Sequence, residues 1–124
     1  MSTAVMPQAT LPSHTISGWQ DICAVDDIPA GSGMAARFQG QQVAVFHTDE
    51  GIFALANRDP FSGANVLSRG IIGDVDGRLV VASPVYKQHF CLRTGICLED
   101  MTISVRRWAS TVRDGRILLS ERID

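Results

Sequence analysis

No stretch of the 124-residue chain approaches the roughly 18 consecutive apolar residues that a membrane span needs. Residues 1–17 lack a charged start followed by a continuous apolar core, so they do not read as a secretory signal. Together these absences set a cytoplasmic location as the expectation. Cysteine is sparse, with Cys23, Cys91 and Cys97 only. An odd number at this spacing is not a disulfide framework, and no CxxC is present. Basic residues are not in excess: the formal net charge is −2 and the pI is near 5.8. That gives no general pull toward nucleic acid or an anionic membrane. No Gly-rich phosphate loop follows a strand, and no Ser/His/Asp arrangement stands out. His14 lies in the N-terminal segment and His47 beside a turn, and neither reads as a catalyst.

What is present has the composition of an ordinary globular protein, 45% hydrophobic and 19% charged. The length is that of one domain and is enough to bury a core without disulfides or metal. Residues 1–17, rich in Pro, Ser, Thr and Ala, read as a flexible N-terminal tail, and the folded domain is expected over 18–124, beginning near Trp19. Short apolar runs follow at Met34–Phe38, Val43–His47, Ile52–Ala56, Leu79–Ala82, Val105–Val112 and Ile117–Leu119. Each is too short for a typical helix, several are rich in β-branched or aromatic residues, and no segment carries a 3.6-residue apolar stripe. Asp76-Gly77 lies between Ile71–Val75 and Arg78–Ala82, and Asp114-Gly115 between Val105–Arg113 and Arg116–Ser120. Such a dipeptide between strand-like runs signals a tight hairpin, because Gly accepts positive φ at no steric cost. Gly40 and Thr48-Asp49-Glu50-Gly51 mark further turns. The pattern predicts an all-β fold, an antiparallel β-sandwich or small barrel.

Two stretches break the strand pattern: Asn57–Gly70 (NRDPFSGANVLSRG) and Ser83–Gly95 (SPVYKQHFCLRTG). They hold Phe, Tyr, Arg and Lys among the turn formers, and loops on a rigid scaffold are where binding usually resides. Their frame resembles that of Rieske domains, which hold a [2Fe–2S] cluster through two Cys and two His, the two His on one iron. Asp59-Pro60-Phe61-Ser62-Gly63-Ala64 resembles the Cys-Pro-His-x-Gly-Ala loop, with Asp59 in the Cys position and Phe61 in the His position. Ser83-Pro84-Val85-Tyr86 resembles Cys-Pro-x-His, with Ser83 for the second Cys and Tyr86 for the second His. Phe90-Cys91-Leu92-Arg93-Thr94-Gly95 resembles the stretch that follows. Cluster iron is held by thiolate and imidazole. Phe61 has no donor atom, Ser83 is a neutral hydroxyl and Tyr86 a phenol with a pKa near ~10. A Rieske-like domain with two long loops at one tip and without its cofactor or metal is therefore expected. His89, Cys91 and Cys97 do not restore a site, since Cys91-x5-Cys97 is not a usual metal spacing.

The wording of Asp-Pro-Phe-Ser-Gly-Ala (59–64), Val-Leu-Ser-Arg-Gly-Ile-Ile-Gly-Asp (66–74), Val-Ala-Ser-Pro-x-Tyr-Lys-Gln-His-Phe (81–90) and Leu-Arg-Thr-Gly-x-Cys-Leu-Glu-Asp (92–100) resembles the small subunits of bacterial assimilatory NAD(P)H nitrite reductases. The resemblance covers about residues 19–120. It implies an accessory, non-catalytic subunit of a cytoplasmic enzyme that reduces nitrite to ammonium. The partner is a large subunit carrying FAD, sirohaem and a [4Fe–4S] cluster. The two loops are the candidate docking surface, through Arg58, Phe61, Arg69, Tyr86, Lys87 and Arg93, because Arg and aromatics are enriched in interface hot spots. A plainer reading has Phe61 and Tyr86 filling the space left by the cluster, and Asp59 and Ser83 serving their own turns. Arg106, Arg107, Arg113 and Arg116 read as a solvated face. Three other functions compete: a Rieske ferredoxin, which the substituted ligands oppose; a cluster-free interaction module of another oxidoreductase; and a small-ligand barrel.

Overall fold

The computed structural model describes residues 15–16 and 18–121. Ten strands run in chain order: β1 (Thr15–Ile16), β2 (Trp19–Ala24), β3 (Ser32–Phe38), β4 (Gln41–Thr48), β5 (Gly51–Ala56), β6 (Ile71–Val75), β7 (Arg78–Ala82), β8 (His89–Cys91), β9 (Arg107–Arg113) and β10 (Arg116–Ser120). All pairings are antiparallel. Seven strands form one sheet in the order β1-β2-β10-β9-β5-β4-β3, and β6-β7-β8 form a second. The all-β Rieske-like class expected from the sequence is the one observed. Of the expected N-terminal tail, Thr15 and Ile16 pair with Gln20 and Trp19, and the rest lies outside the described residues.

The hairpins follow from their turn residues. Asp76 and Gly77 sit at φ 51° and 81°, Asp114 and Gly115 at 52° and 76°. Positive φ at both central positions is the type I′ geometry that matches the strand twist. The β3–β4 turn is built the same way on Gln39 and Gly40. At the β4–β5 turn the Thr48 hydroxyl donates to the carbonyl of Gly51 (2.8 Å) and accepts the N–H of Glu50 (3.1 Å).

β4 explains how two sheets share one molecule. Val43 and Val45 point into a cluster with Cys23, Ile28, Phe38, Trp108 and Leu119. Ala44 and Phe46, on the opposite face, join Leu55, Leu67, Val81, Phe90 and Cys97. The large sheet thus covers one core and presents its other face to the small sheet. A strand buried on both faces reads as a continuous apolar run rather than an alternating one, as Val43–Phe46 does. The loops 57–70 and 83–88 leave the ends of β5 and β7, so the small sheet's packing sets where they meet.

β9 begins at Arg107 rather than Val105, because the Val105 N–H donates to the carbonyl of Gly95 (2.9 Å) and its side chain enters the second core. β5 and β9 share only the pairs Ala54↔Trp108 and Leu55↔Arg107. Toward the start of β5 the Ser110 hydroxyl donates to the carbonyl of Ile52 (2.6 Å).

Candidate functional site

The first loop is anchored from inside by Asn57, which is buried. Its side-chain amide donates to Gln42 Oε1 (3.0 Å) and to the carbonyl of Asn65 (3.2 Å), and its carbonyl oxygen accepts the N–H of Ser68 (2.7 Å). The β4 side of the sheet and both ends of the loop are thereby tied to one residue. Asp59 then turns the chain. Its Oδ1 accepts the Phe61 N–H (2.8 Å), its own N–H donates to the carbonyl of Ala64 (2.8 Å), and its carbonyl accepts the Gly63 N–H (2.7 Å).

The second loop closes on Ser83, whose N–H donates to the carbonyl of Gln88 (2.9 Å) and whose carbonyl accepts the Lys87 N–H (3.1 Å). Lys87 sits at φ 69°, and its ammonium donates to the carbonyl of Pro84 (3.3 Å), curling the loop back on itself.

The two loops are joined by a buried hydrogen bond. The Ser83 hydroxyl donates to Asp59 Oδ2 at 2.5 Å, across 24 residues of sequence, and both residues have no exposed surface. Burial pushes the Asp59 carboxyl upward, but hydrogen bonds from Ser83, from the Phe61 N–H and from Ser62 outweigh it and hold the group below the usual carboxylate range. A charged, buried acceptor with a hydroxyl donor is a charge-assisted hydrogen bond, among the stronger non-covalent links available. By the resemblance of the two loops to Rieske loops, Asp59 and Ser83 stand where the two Cys ligands of one iron would be expected.

The residues at the four ligand positions do not fit a [2Fe–2S] cluster. The one carboxylate is already engaged by protein donors, Ser83 spends its proton on it, and Phe61 offers no lone pair. Phe61 stands 36% exposed with its ring 6.2 Å from that of Phe90, so it covers the second core and also shows a face to solvent. Tyr86 is 60% exposed and fills no interior space. Around them lie two exposed apolar residues that sequence reasoning missed, Val85 (41%) and Ile71 (75%). Ile71 pairs with Ala82 at the foot of the second loop, a register the sequence does not display. Arg58, Arg69 and Lys87 are exposed and, among the described residues, make no ion pair. Arg93 is placed differently. It pairs with Glu50 of the β4–β5 turn, and its guanidinium lies 5.1 Å over the Phe53 ring.

Cys91 and Cys97 are buried free thiols, Cys97 within the second core. His89 donates its N–H to Glu99 Oε1 (2.8 Å), and its Nδ1 lies 2.6 Å from Glu99 Oε2. No group of three or more His, Cys, Asp or Glu able to hold a metal occurs among the described residues.

Fold and loops together define a Rieske-like domain whose two tip loops are joined by a buried hydrogen bond between Ser83 and Asp59. Residues 18–120 match the family of the Rieske-like [2Fe-2S] domain. The nitrite reductase (NADH) small subunit of Salmonella typhimurium is 48% identical over 107 residues, covering 84% of this chain and 98% of that protein. A crystal structure of a putative NADH-dependent nitrite reductase small subunit from Mycobacterium tuberculosis superposes with a TM-score of 0.79 at 44% identity, covering 86% of this chain and 96% of that one. A nitrite reductase [NAD(P)H] large subunit of Klebsiella oxytoca is 40% identical over 114 residues, 92% of this chain but 12% of that protein. The chain belongs to the family of NADH nitrite reductase small subunits.

Proposed function

We propose that this chain is the accessory, non-catalytic subunit of a cytoplasmic NAD(P)H nitrite reductase, assembling with a large subunit that bears FAD, sirohaem and a [4Fe–4S] cluster. The observation that carries this reading is the Klebsiella oxytoca relative. A stretch similar to nearly the whole chain lies inside a large subunit, so in that protein the two parts travel as one polypeptide. The geometry agrees with a role without redox chemistry, since Asp59 and Ser83 use their polar atoms on each other. Among the described residues no helix is long and apolar enough to cross a membrane.

Docking through the loop tip belongs to the same reading. Phe61, Ile71, Val85 and Tyr86 offer exposed apolar area, with Arg58, Arg69 and Lys87 as exposed cations that make no ion pair among the described residues. An apolar centre with a charged surround is the usual make-up of a protein interface. Arg93, expected with them from the sequence, is engaged by Glu50 and contributes less free charge.

The test is co-purification with a cognate large subunit, with nitrite-dependent NAD(P)H oxidation assayed in the presence and absence of this chain. Complex formation and dependence of activity on the chain support the reading, and indifference of the two proteins overturns it. Tyr86→Asp and Lys87→Glu should each weaken the complex about tenfold, the scale of a modest interface hot spot. Unchanged affinity would remove the tip from the interface.

A further inference from the structure

The fold explains the glycines of this chain with one exception. Eight of the eleven sit at positive φ, and at Gly33 and Gly70 an added Cβ would fall 2.8 Å and 2.3 Å from a neighbouring atom. Gly73, in the middle of β6, has neither reason. Its φ is not positive, and an added Cβ would meet nothing within 4 Å. Glycine in a strand interior weakens the strand, and it often marks a place where a ligand or another backbone comes close. Among the described residues nothing takes up the space at Gly73.

The surface around Gly73 fits such a contact. Side chains alternate along a strand, and Ile72, Val81 and Phe90 pack with the second core. Ile71, Gly73, Val80 and Cys91 therefore face the other way, on the outward side of the small sheet. Gly73 pairs with Val80 and Val80 with Cys91, so Gly73 and Cys91 share one row, roughly 10 Å apart at the usual strand spacing. At the Cys91 end of the row lies an open cavity of about 280 Å³, walled by Cys91, Ile96, Leu98 and Met101, with Arg78 and Thr94 as its polar members. It is smaller than the roughly 300–1,000 Å³ of small-ligand sites. It suits one apolar side chain, the kind of anchor that fills a pocket at an interface hot spot. Met101 is 63% exposed, and Ile71, two residues along β6 from Gly73, belongs to the exposed apolar area of the tip. The face therefore runs on from the tip without a break in the strand.

We propose that the outward face of the small sheet is a second contact with the nitrite reductase large subunit. A stretch of that subunit's main chain crosses β6 at Gly73 and sets an apolar side chain in the cavity beside Cys91. The proposal rests on the reading of the chain as that subunit's partner. Two observations select this occupant: the face continues the tip, and in the Klebsiella oxytoca relative a stretch similar to this chain lies within a large subunit.

The test uses immobilised large subunit and full-length variants of this chain, each with its thermal melt measured alone. Gly73→Ala has open space for its methyl group. It should melt no lower than wild type and yet raise Kd about tenfold, the scale of a modest hot spot. Met101→Glu, which sets a charge at the cavity, should do the same. Val112→Glu, at an exposed apolar residue of β9, should bind as wild type. Hydrogen exchange in the wild-type complex should slow at 71–75 and 96–101. If Gly73→Ala and Met101→Glu bind as wild type, the second contact falls while tip docking stands. If Gly73→Ala loses binding only in step with a lower melt, Gly73 serves its own strand and the contact likewise falls. If Gly73→Ala breaks a dimer of this chain and leaves large-subunit binding unchanged, the occupant is a second copy and the proposal is wrong. If the unaltered chain does not bind the large subunit, both the contact and the accessory reading fall.

Discussion

Ser83 has one hydroxyl proton and spends it on Asp59, so removing either partner leaves a buried group unsatisfied. Ser83→Ala should cost about 1–3 kcal/mol, the penalty for an orphaned buried acceptor, read as a lower urea midpoint. Asp59→Ala should cost more, because the Phe61 N–H loses its acceptor as well. The acid limb of stability follows from the same carboxyl. Its folded value lies below its unfolded one, so it contributes fully above the unfolded pKa near ~4, and the contribution is lost as pH falls through the lower folded value. Wild type should therefore lose urea stability below about pH 4 more steeply than Asp59→Asn, and parallel curves for the two would refute the assignment. The sequence exposed only half of this pair. An Asx turn from Asp59 is legible locally, and the Phe61 N–H fulfils it. The bond to Ser83 joins residues with no local pattern between them. The sequence alone has each of the two serving its own turn and does not disclose the link.

Element by element, the turns carried most of the legible information. Asp76-Gly77 and Asp114-Gly115 mark their hairpins because few residues accept φ near 50° followed by φ near 80°. β2 escaped the pattern because Asp21 interrupts it, and that residue pairs with Arg116 on β10, whose guanidinium lies 2.8 Å away. β8 has three residues, too few for periodicity to register. Two glycines separate conformational from steric demand. At Gly77 an added Cβ would meet nothing within 4 Å, so Gly77→Ala should cost only the left-handed backbone penalty, about 1–2 kcal/mol. At Gly95, also at positive φ, a Cβ would fall 2.3 Å from the carbonyl oxygen of Val105. Gly95→Ala should therefore destabilise clearly more than Gly77→Ala in the same urea titration, adding the roughly 1–3 kcal/mol of overpacking. Equal losses would mean that the second loop yields freely at its base.

At the scale of the whole molecule, the two cores on either side of β4 hold the fold together, and the exposed tip carries charge that the fold does not use. Association with the large subunit should weaken as salt rises, and replacing Arg58, Arg69 and Lys87 together by Gln should flatten that dependence, because screening acts on exposed charge. A salt-independent affinity in the wild type would exclude the cations from the contact. Incubation with ferrous iron and sulfide should leave the protein colourless with substoichiometric iron, since soft thiolate and imidazole donors are missing from the four positions. Stoichiometric iron with visible absorption would contradict the closure. That closure has a consequence for the life of the protein in a cell. A domain whose loops are joined by a carboxylate and a hydroxyl needs no inserted metal to make that link. Neither a shortage of iron nor a burst of peroxide acts on a link that contains no metal and no sulfur.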